Sequence, residues 1–140
     1  MPSAQVNTSI FKAYDIRGTY PDQIHEELAR DIGRAFVAYL KARRIVVSRD
    51  MRVSSPTIAA AFIEGAREQG ADVVDIGLAG TDMLYYAVAS AELDGGAQIT
   101  ASHNPKQYNG MKLVRQAAFP QSGDAGISDI RDMIVGGAGC

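Results

Sequence analysis

Ser102 is the residue whose setting most invites chemistry. It follows the run Ala97-Gln98-Ile99-Thr100 and precedes His103, Asn104 and Pro105. Pro105 lacks an amide hydrogen and keeps Asn104 out of the helical region. The strand predicted before it must therefore end abruptly, with the Ser102 hydroxyl presented at its tip. A plain Ser-Asn-Pro turn accounts for the same residues. A Ser–His hydrolase fits less well. Adjacent side chains in an extended segment point apart, and no G-x-S-x-G elbow surrounds the serine.

Cations collect in a few loops of the sequence. Lys12, Arg17, Arg49, Arg52, Lys106, Lys112 and Arg115 lie in or beside three loops, against the acids Asp15 and Asp50. The whole chain carries a formal net charge of -2, so this concentration is local. Arginine forks and lysine point charges suit a phosphate group, although any solvated loop is also rich in charge. A metal site built from this chain alone is not indicated. The histidines are His25 and His103, with no H-E-x-x-H or C-x-x-C spacing. His25 reads as a surface residue of the first helix. Neither a G-x-x-x-x-G-K-[ST] loop nor a G-x-G-x-x-G after a strand is present, so ATP in a P-loop and a dinucleotide are not supported.

The elements that must position these residues alternate in type. Ser9 to Tyr14 reads as a short strand leading into a loop at Asp15-Ile16-Arg17-Gly18. Pro21-Asp22 offers a helix start, and Ile24, Leu28, Ile32, Phe36 and Leu40 form one apolar stripe. Ile45-Val46-Val47 reads as a buried strand. Ser55 is the expected N-cap of the next helix, with Pro56 at its first position and Gly70 past its end. A strand follows over Asp72 to Ile76, then a helix capped by Thr81 and broken by Gly95-Gly96. Ala97 to Thr100 and Gly110 to Val114 read as strands, and Asp124 to Val135 as a last helix carrying Ile127, Ile130 and Ile134.

This alternation predicts an α/β fold: a single three-layer domain with a mixed, mostly parallel sheet flanked by helices. In such sheets ligands gather where loops leave the carboxyl ends of strands. The loops after Tyr14, Ser48 and Thr100 qualify. Residues 1–135 form the expected domain, and the Gly-rich residues 136–140 an end or linker.

Composition narrows the function classes. The chain has 140 residues, 46% hydrophobic and 21% charged, which suits one ordinary globular domain. The slight negative charge argues against a general nucleic-acid binder. No window is apolar enough for a membrane span, and no signal peptide is read at the start. The single cysteine, Cys140, leaves no disulfide within the chain, consistent with a reducing compartment. The expectation is a cytoplasmic protein without nucleic-acid or membrane partners.

Three motifs make the reading specific. Thr100-Ala101-Ser102-His103-Asn104-Pro105, followed by Tyr108-Asn109-Gly110-Met111-Lys112, resembles the phosphoserine loop of the α-D-phosphohexomutases. Phe11-Lys12-Ala13-Tyr14-Asp15-Ile16-Arg17-Gly18 is similar to that family's N-terminal motif, and Arg49-Asp50-Met51-Arg52-Val53-Ser54 to a third. They occur in the family's order, from about Ile10 to Val114. Ala101 and the stretch Gly77 to Asp82 resemble the bacterial phosphomannomutase/phosphoglucomutase members. Many relatives instead carry two prolines around Thr81, and phosphoglucosamine mutase is the alternative within the family.

The resemblance implies interconversion of hexose 1-phosphate and hexose 6-phosphate through a hexose 1,6-bisphosphate. Ser102 would carry the phosphoryl group. His103 and Lys112 match positions with acid–base or charge-stabilising roles. Tyr14 and Arg17 match positions that hold phosphate, and Asn104 fixes the loop. The resemblance also implies a magnesium ion bound to Ser102 through its phosphate and to aspartates of a second domain. The expected partners are a phosphosugar substrate and further domains of the same protein. The chain alone is expected to be inactive; a non-catalytic interaction or folding module is the rival reading. Arg49 and Arg52 are read as scaffold, through pairing with Asp50.

Overall fold

The computed structural model describes residues 16–20, 22–79, 81–90, 94–100, 108–115, 119–120, 130 and 134. The described elements are β1 (Ile16–Thr19), α1 (Glu26–Leu40), β2 (Arg44–Arg49), α2 (Ser55–Glu68), β3 (Asp72–Leu78), α3 (Thr81–Ser90), β4 (Gly95–Ile99), β5 (Tyr108–Arg115) and β6 (Phe119–Pro120). They build one sheet in the order β1-β5-β4-β2-β3, with β6 on β5. β2 pairs in parallel with β3 and with β4, whereas β5 is antiparallel to β4, β1 and β6. β5 therefore runs against all the other described strands, and the sheet is mixed but mostly unidirectional, as the alternation implied.

The strands sort their residues by face, as a period of two requires. On β2, Ile45 and Val47 join the large core under α1 and α2, while Val46 joins Leu84 and Val88 of α3 on the other side. This makes three layers. The α1 stripe of Leu28, Ile32 and Phe36 is buried, with Ile24 just before the helix. The Phe36 ring meets Phe62 of α2 at a centroid distance of 6.0 Å. Ile130 and Ile134, from the last predicted helix, are helical and buried in the same core.

Several sequence expectations need correction. Ile16 to Gly18, read as a loop, belongs to β1, because these residues pair with β5. α1 starts at Glu26 rather than beside Asp22. His25, read as a surface residue within the helix, is its N-cap, accepting the Leu28 N–H at Nδ1 over 3.2 Å. α2 starts one residue early: Ser54 holds the N-cap position, because the Ser55 hydroxyl donates to Asp50 instead. Gly95 and Gly96 lie inside β4. A Cβ on Gly96 would stand 2.8 Å from Val46 Cγ1 and 2.9 Å from the Val46 carbonyl oxygen, so the sheet needs a glycine there.

Candidate functional site

Because β1, β2, β3 and β4 share a direction, their carboxyl ends meet along one edge of the sheet, where β5 begins. The register makes this concrete: Ile99 faces Arg49 on one side and Met111 on the other, and Met111 faces Ile16. The Asp50 N–H donates to the Ile99 carbonyl at 3.0 Å, and the Thr100 N–H to the Gly110 carbonyl at 2.9 Å. Residues 101–107 connect β4 to β5 at this edge. Ser102, His103 and Asn104 fall in that connection and, with Tyr14, lie outside the described residues.

Arg17 and Lys112 are described, and the sheet brings them together. Ile16 and Met111 face the α1–α2 core, so Arg17 and Lys112 take the opposite face. Arg17 sits opposite Gly110, and Lys112 is two residues further along β5. The two cations are thus diagonal neighbours, a relationship that typically spans about 7–8 Å. Both are half-buried. Lys112 is also the cross-strand partner of Gln98. Gln98 is buried, accepts the Ser48 hydroxyl proton at Oε1 and donates from Nε2 to the Ala79 carbonyl at 2.8 Å. A polar row of Ser48, Gln98 and Lys112 therefore crosses three strands on the face that holds α3.

Of the other predicted cations that are described, Arg49 takes a different face from Arg17 and Lys112. Arg49 alternates with Val47 and lies on the α2 face. It lines an open groove of about 690 Å3 with Pro56, Ile63, Arg67, Glu68 and Asp75. Arg52 forms the expected ion pair with Asp50, Nε to Oδ2 at 3.0 Å. No ion pair joins Arg49 to Asp50 among the described residues, which corrects half of the scaffold reading: their successive positions direct Arg49 to the groove. Lys12, Lys106 and the Arg115 side chain lie outside the described residues.

Asn109 is the residue that sequence reasoning passed over. It was visible inside the motif Tyr108-Asn109-Gly110, but its partners come from a distant helix start. Its buried carboxamide donates to Ser54 Oγ at 2.7 Å and Ser55 Oγ at 3.1 Å, and its Oδ1 accepts the Gly110 N–H at 2.8 Å.

No group of three or more His, Cys, Asp or Glu able to hold a metal comes together among the described residues. These residues do not by themselves fit a magnesium ion. No described helix is long and apolar enough to cross a membrane.

The family model for phosphoglucomutase/phosphomannomutase, alpha/beta/alpha domain I, matches residues 8–135. A phosphomannomutase of Salmonella montevideo is 46% identical over 131 residues, covering 94% of this chain and 29% of that protein. A phosphomannomutase of Klebsiella pneumoniae is 50% identical over 121 residues, covering 86% of this chain and 77% of that protein. The crystal structure of a phosphoglucomutase/phosphomannomutase family protein from Burkholderia thailandensis superposes with a TM-score of 0.88 at 37% identity, over 95% of this chain and 31% of that one. The chain thus spans under a third of most of the curated relatives that it matches. Its three-layer fold, its match to the domain model over nearly its whole length and its identity to these relatives lead to one conclusion: the chain belongs to the phosphoglucomutase/phosphomannomutase family, as an alpha/beta/alpha domain I.

Proposed function

We propose that this chain is the phosphoryl-carrying domain of a cytoplasmic phosphomannomutase/phosphoglucomutase, with Ser102 as the carrier. A hydroxyl of a hexose monophosphate attacks the phosphorus of phospho-Ser102. The new sugar O–P bond forms as the serine O–P bond breaks. The sugar hydroxyl gives up its proton to a base, and the departing serine oxygen takes one up. Ser102 Oγ then attacks the other phosphoryl group of the resulting hexose 1,6-bisphosphate, which regenerates phospho-Ser102 and releases the isomeric monophosphate. Splitting one transfer into two suits a nucleophile that needs activation.

His103 and Lys112 serve proton transfer and charge stabilisation, Tyr14 and Arg17 hold phosphate, and Asn104 fixes the serine segment. The observation that most supports this reading is the diagonal placement of Arg17 and Lys112 on one face of the sheet. They stand beside the strand ends that residues 101–107 join. Two cations there favour a group with two negative charges. The magnesium ion, when bound, supplies charge neutralisation at the phosphoryl group. Its remaining ligands belong to a further domain, as does most sugar recognition. The names of the relatives favour a mannose phosphate as substrate.

The test is intact-mass analysis after incubation with glucose 1,6-bisphosphate. One phosphoryl adduct is expected, mapping to Ser102 and absent from Ser102→Ala. An unmodified wild-type chain counts against the carrier role. The chain alone is expected to leave glucose 1-phosphate unconverted, and measurable turnover would overturn that expectation.

A further inference from the structure

The chain between β2 and α2 reaches both points where residues 101–107 meet the sheet. At the departure point, the Asp50 N–H donates to the Ile99 carbonyl at 3.0 Å. At the return point, Arg52 Nη1 donates to the Tyr108 carbonyl at 3.2 Å. One carboxylate joins the two. Asp50 Oδ2 accepts from Arg52 Nε at 3.0 Å, and its Oδ1 accepts from the Arg52 N–H at 3.0 Å and from Ser55 Oγ at 2.6 Å. Ser55, together with Ser54, then receives the Asn109 carboxamide, one residue past Tyr108.

We propose that Asp50 and Arg52 act as a positioning pair, bridging the two strand ends so that the segment between them is held for phosphoryl transfer at Ser102. The proposal rests on the reading of Ser102 as the carrier. Its physical basis is the direction of the bonds. The Arg52 fork reaches a backbone carbonyl and a carboxylate rather than the apolar core, and the Arg52 and Asp50 side chains are 12% and 21% exposed. A guanidinium can serve both acceptors from one rigid plane, whereas a lysine ammonium is a point charge that offers no such fork. Small misplacements of a reacting group cost large factors in rate, so a strut of this kind acts on the transfer step more than on binding.

The test compares wild type, Arg52→Ala and Arg52→Lys by amide hydrogen exchange and by the time course of Ser102 phosphorylation with glucose 1,6-bisphosphate. Glu68→Gln serves as a control, since Glu68 pairs with Arg30 and Arg34 between α1 and α2. In Arg52→Ala, exchange at Asp50 and Thr100 is expected to rise at least about tenfold while α1 and α2 amides hold. Phosphorylation is expected to slow by about tenfold or more, with the half-saturating bisphosphate concentration changing less than about twofold. Arg52→Lys, which keeps the charge, should restore less than half of the lost rate; Glu68→Gln should match wild type in both measurements. Wild-type rates in both Arg52 variants overturn the positioning role and leave the carrier reading intact. An unmodified wild-type chain counts against the carrier reading, and amide exchange then still decides whether the pair holds the strand ends. Should Arg52→Ala fail to fold, Arg52→Lys carries the same comparison.

Discussion

Gly33 of α1 lies against the backbone of Phe62 in α2, so closely that a Cβ on Gly33 would stand 2.2 Å from the Phe62 carbonyl oxygen. Gly65 repeats the relationship in reverse, with the Arg30 carbonyl oxygen 1.9 Å from its added Cβ. The obstacles are main-chain atoms, which cannot rotate away. Gly33→Ala or Gly65→Ala should therefore force the helices apart and lower stability by about 2–3 kcal/mol or more. Urea unfolding with an unchanged slope and a lower midpoint is the expected result. An unchanged midpoint would show that the two helices can separate freely.

The Tyr20 hydroxyl donates to Glu26 Oε2 at 2.6 Å, at the start of α1. Burial pushes the Glu26 carboxyl upward, but hydrogen bonds from Tyr20 and Thr57 outweigh it and hold the pKa below the ordinary value of 4.5. A carboxyl lowered in the folded state stabilises above its unfolded pKa and loses that contribution as pH falls through the folded one. Stability should thus fall from about pH 4.5 downward, and Tyr20→Phe should flatten that part of the curve. Thermal melts of both proteins from pH 7 to pH 3 measure the difference. Superimposable slopes would remove Tyr20 from the account.

Buried Gln98 bridges Ser48 and the Ala79 carbonyl. Gln98→Leu leaves a buried hydroxyl and a carbonyl without their partner, at a cost of about 1–3 kcal/mol each. Adding Ser48→Ala removes the stranded hydroxyl and should recover part of the loss. Urea midpoints of the two single variants and the double variant give the coupling directly. Strict additivity would mean that the Ser48–Gln98 bond adds nothing to stability.

Lys112→Met keeps the length of the side chain and removes its charge. Its half-buried position on β5 predicts a stability change within about 1 kcal/mol. Phosphorylation of Ser102 by the bisphosphate should slow by about a hundredfold or more if the ammonium serves the transferred group. An unchanged time course would assign Lys112 to the sheet alone.

Much of this architecture was legible in the sequence because it follows from short-range periodicity. The stripe from Ile24 to Phe36, the run Ile45-Val46-Val47 and the alternation of strand with helix identified the layers. The errors fell where a distant partner decides. β1 carries an arginine, a glycine and a threonine in four residues, and it is a strand because β5 lies beside it. Ser55 looked like a cap until Asp50 took its hydroxyl. Gly95-Gly96 looked like a helix stop, yet close neighbours on β2, α1 and α3 require residues without side chains there. In the candidate site, Arg17 and Lys112 were found by motif. Their shared face and the separation of Arg49 from them follow from register, which no local pattern displays.

The reversed direction of β5 gives that strand a phase. Asn109, Met111 and Leu113 turn to the α1–α2 side, and Lys112 and Val114 to the other. Losing Gly110 would invert the assignment, sending the ammonium into the apolar core and the Met111 thioether towards Arg17. An unpaired charge in such a core is costly enough to reject the shifted pairing. Lys112 is therefore a registration mark as well as a candidate reagent: its charge tells β5 where to stop sliding against β4, and so sets where the return from residues 101–107 must fall.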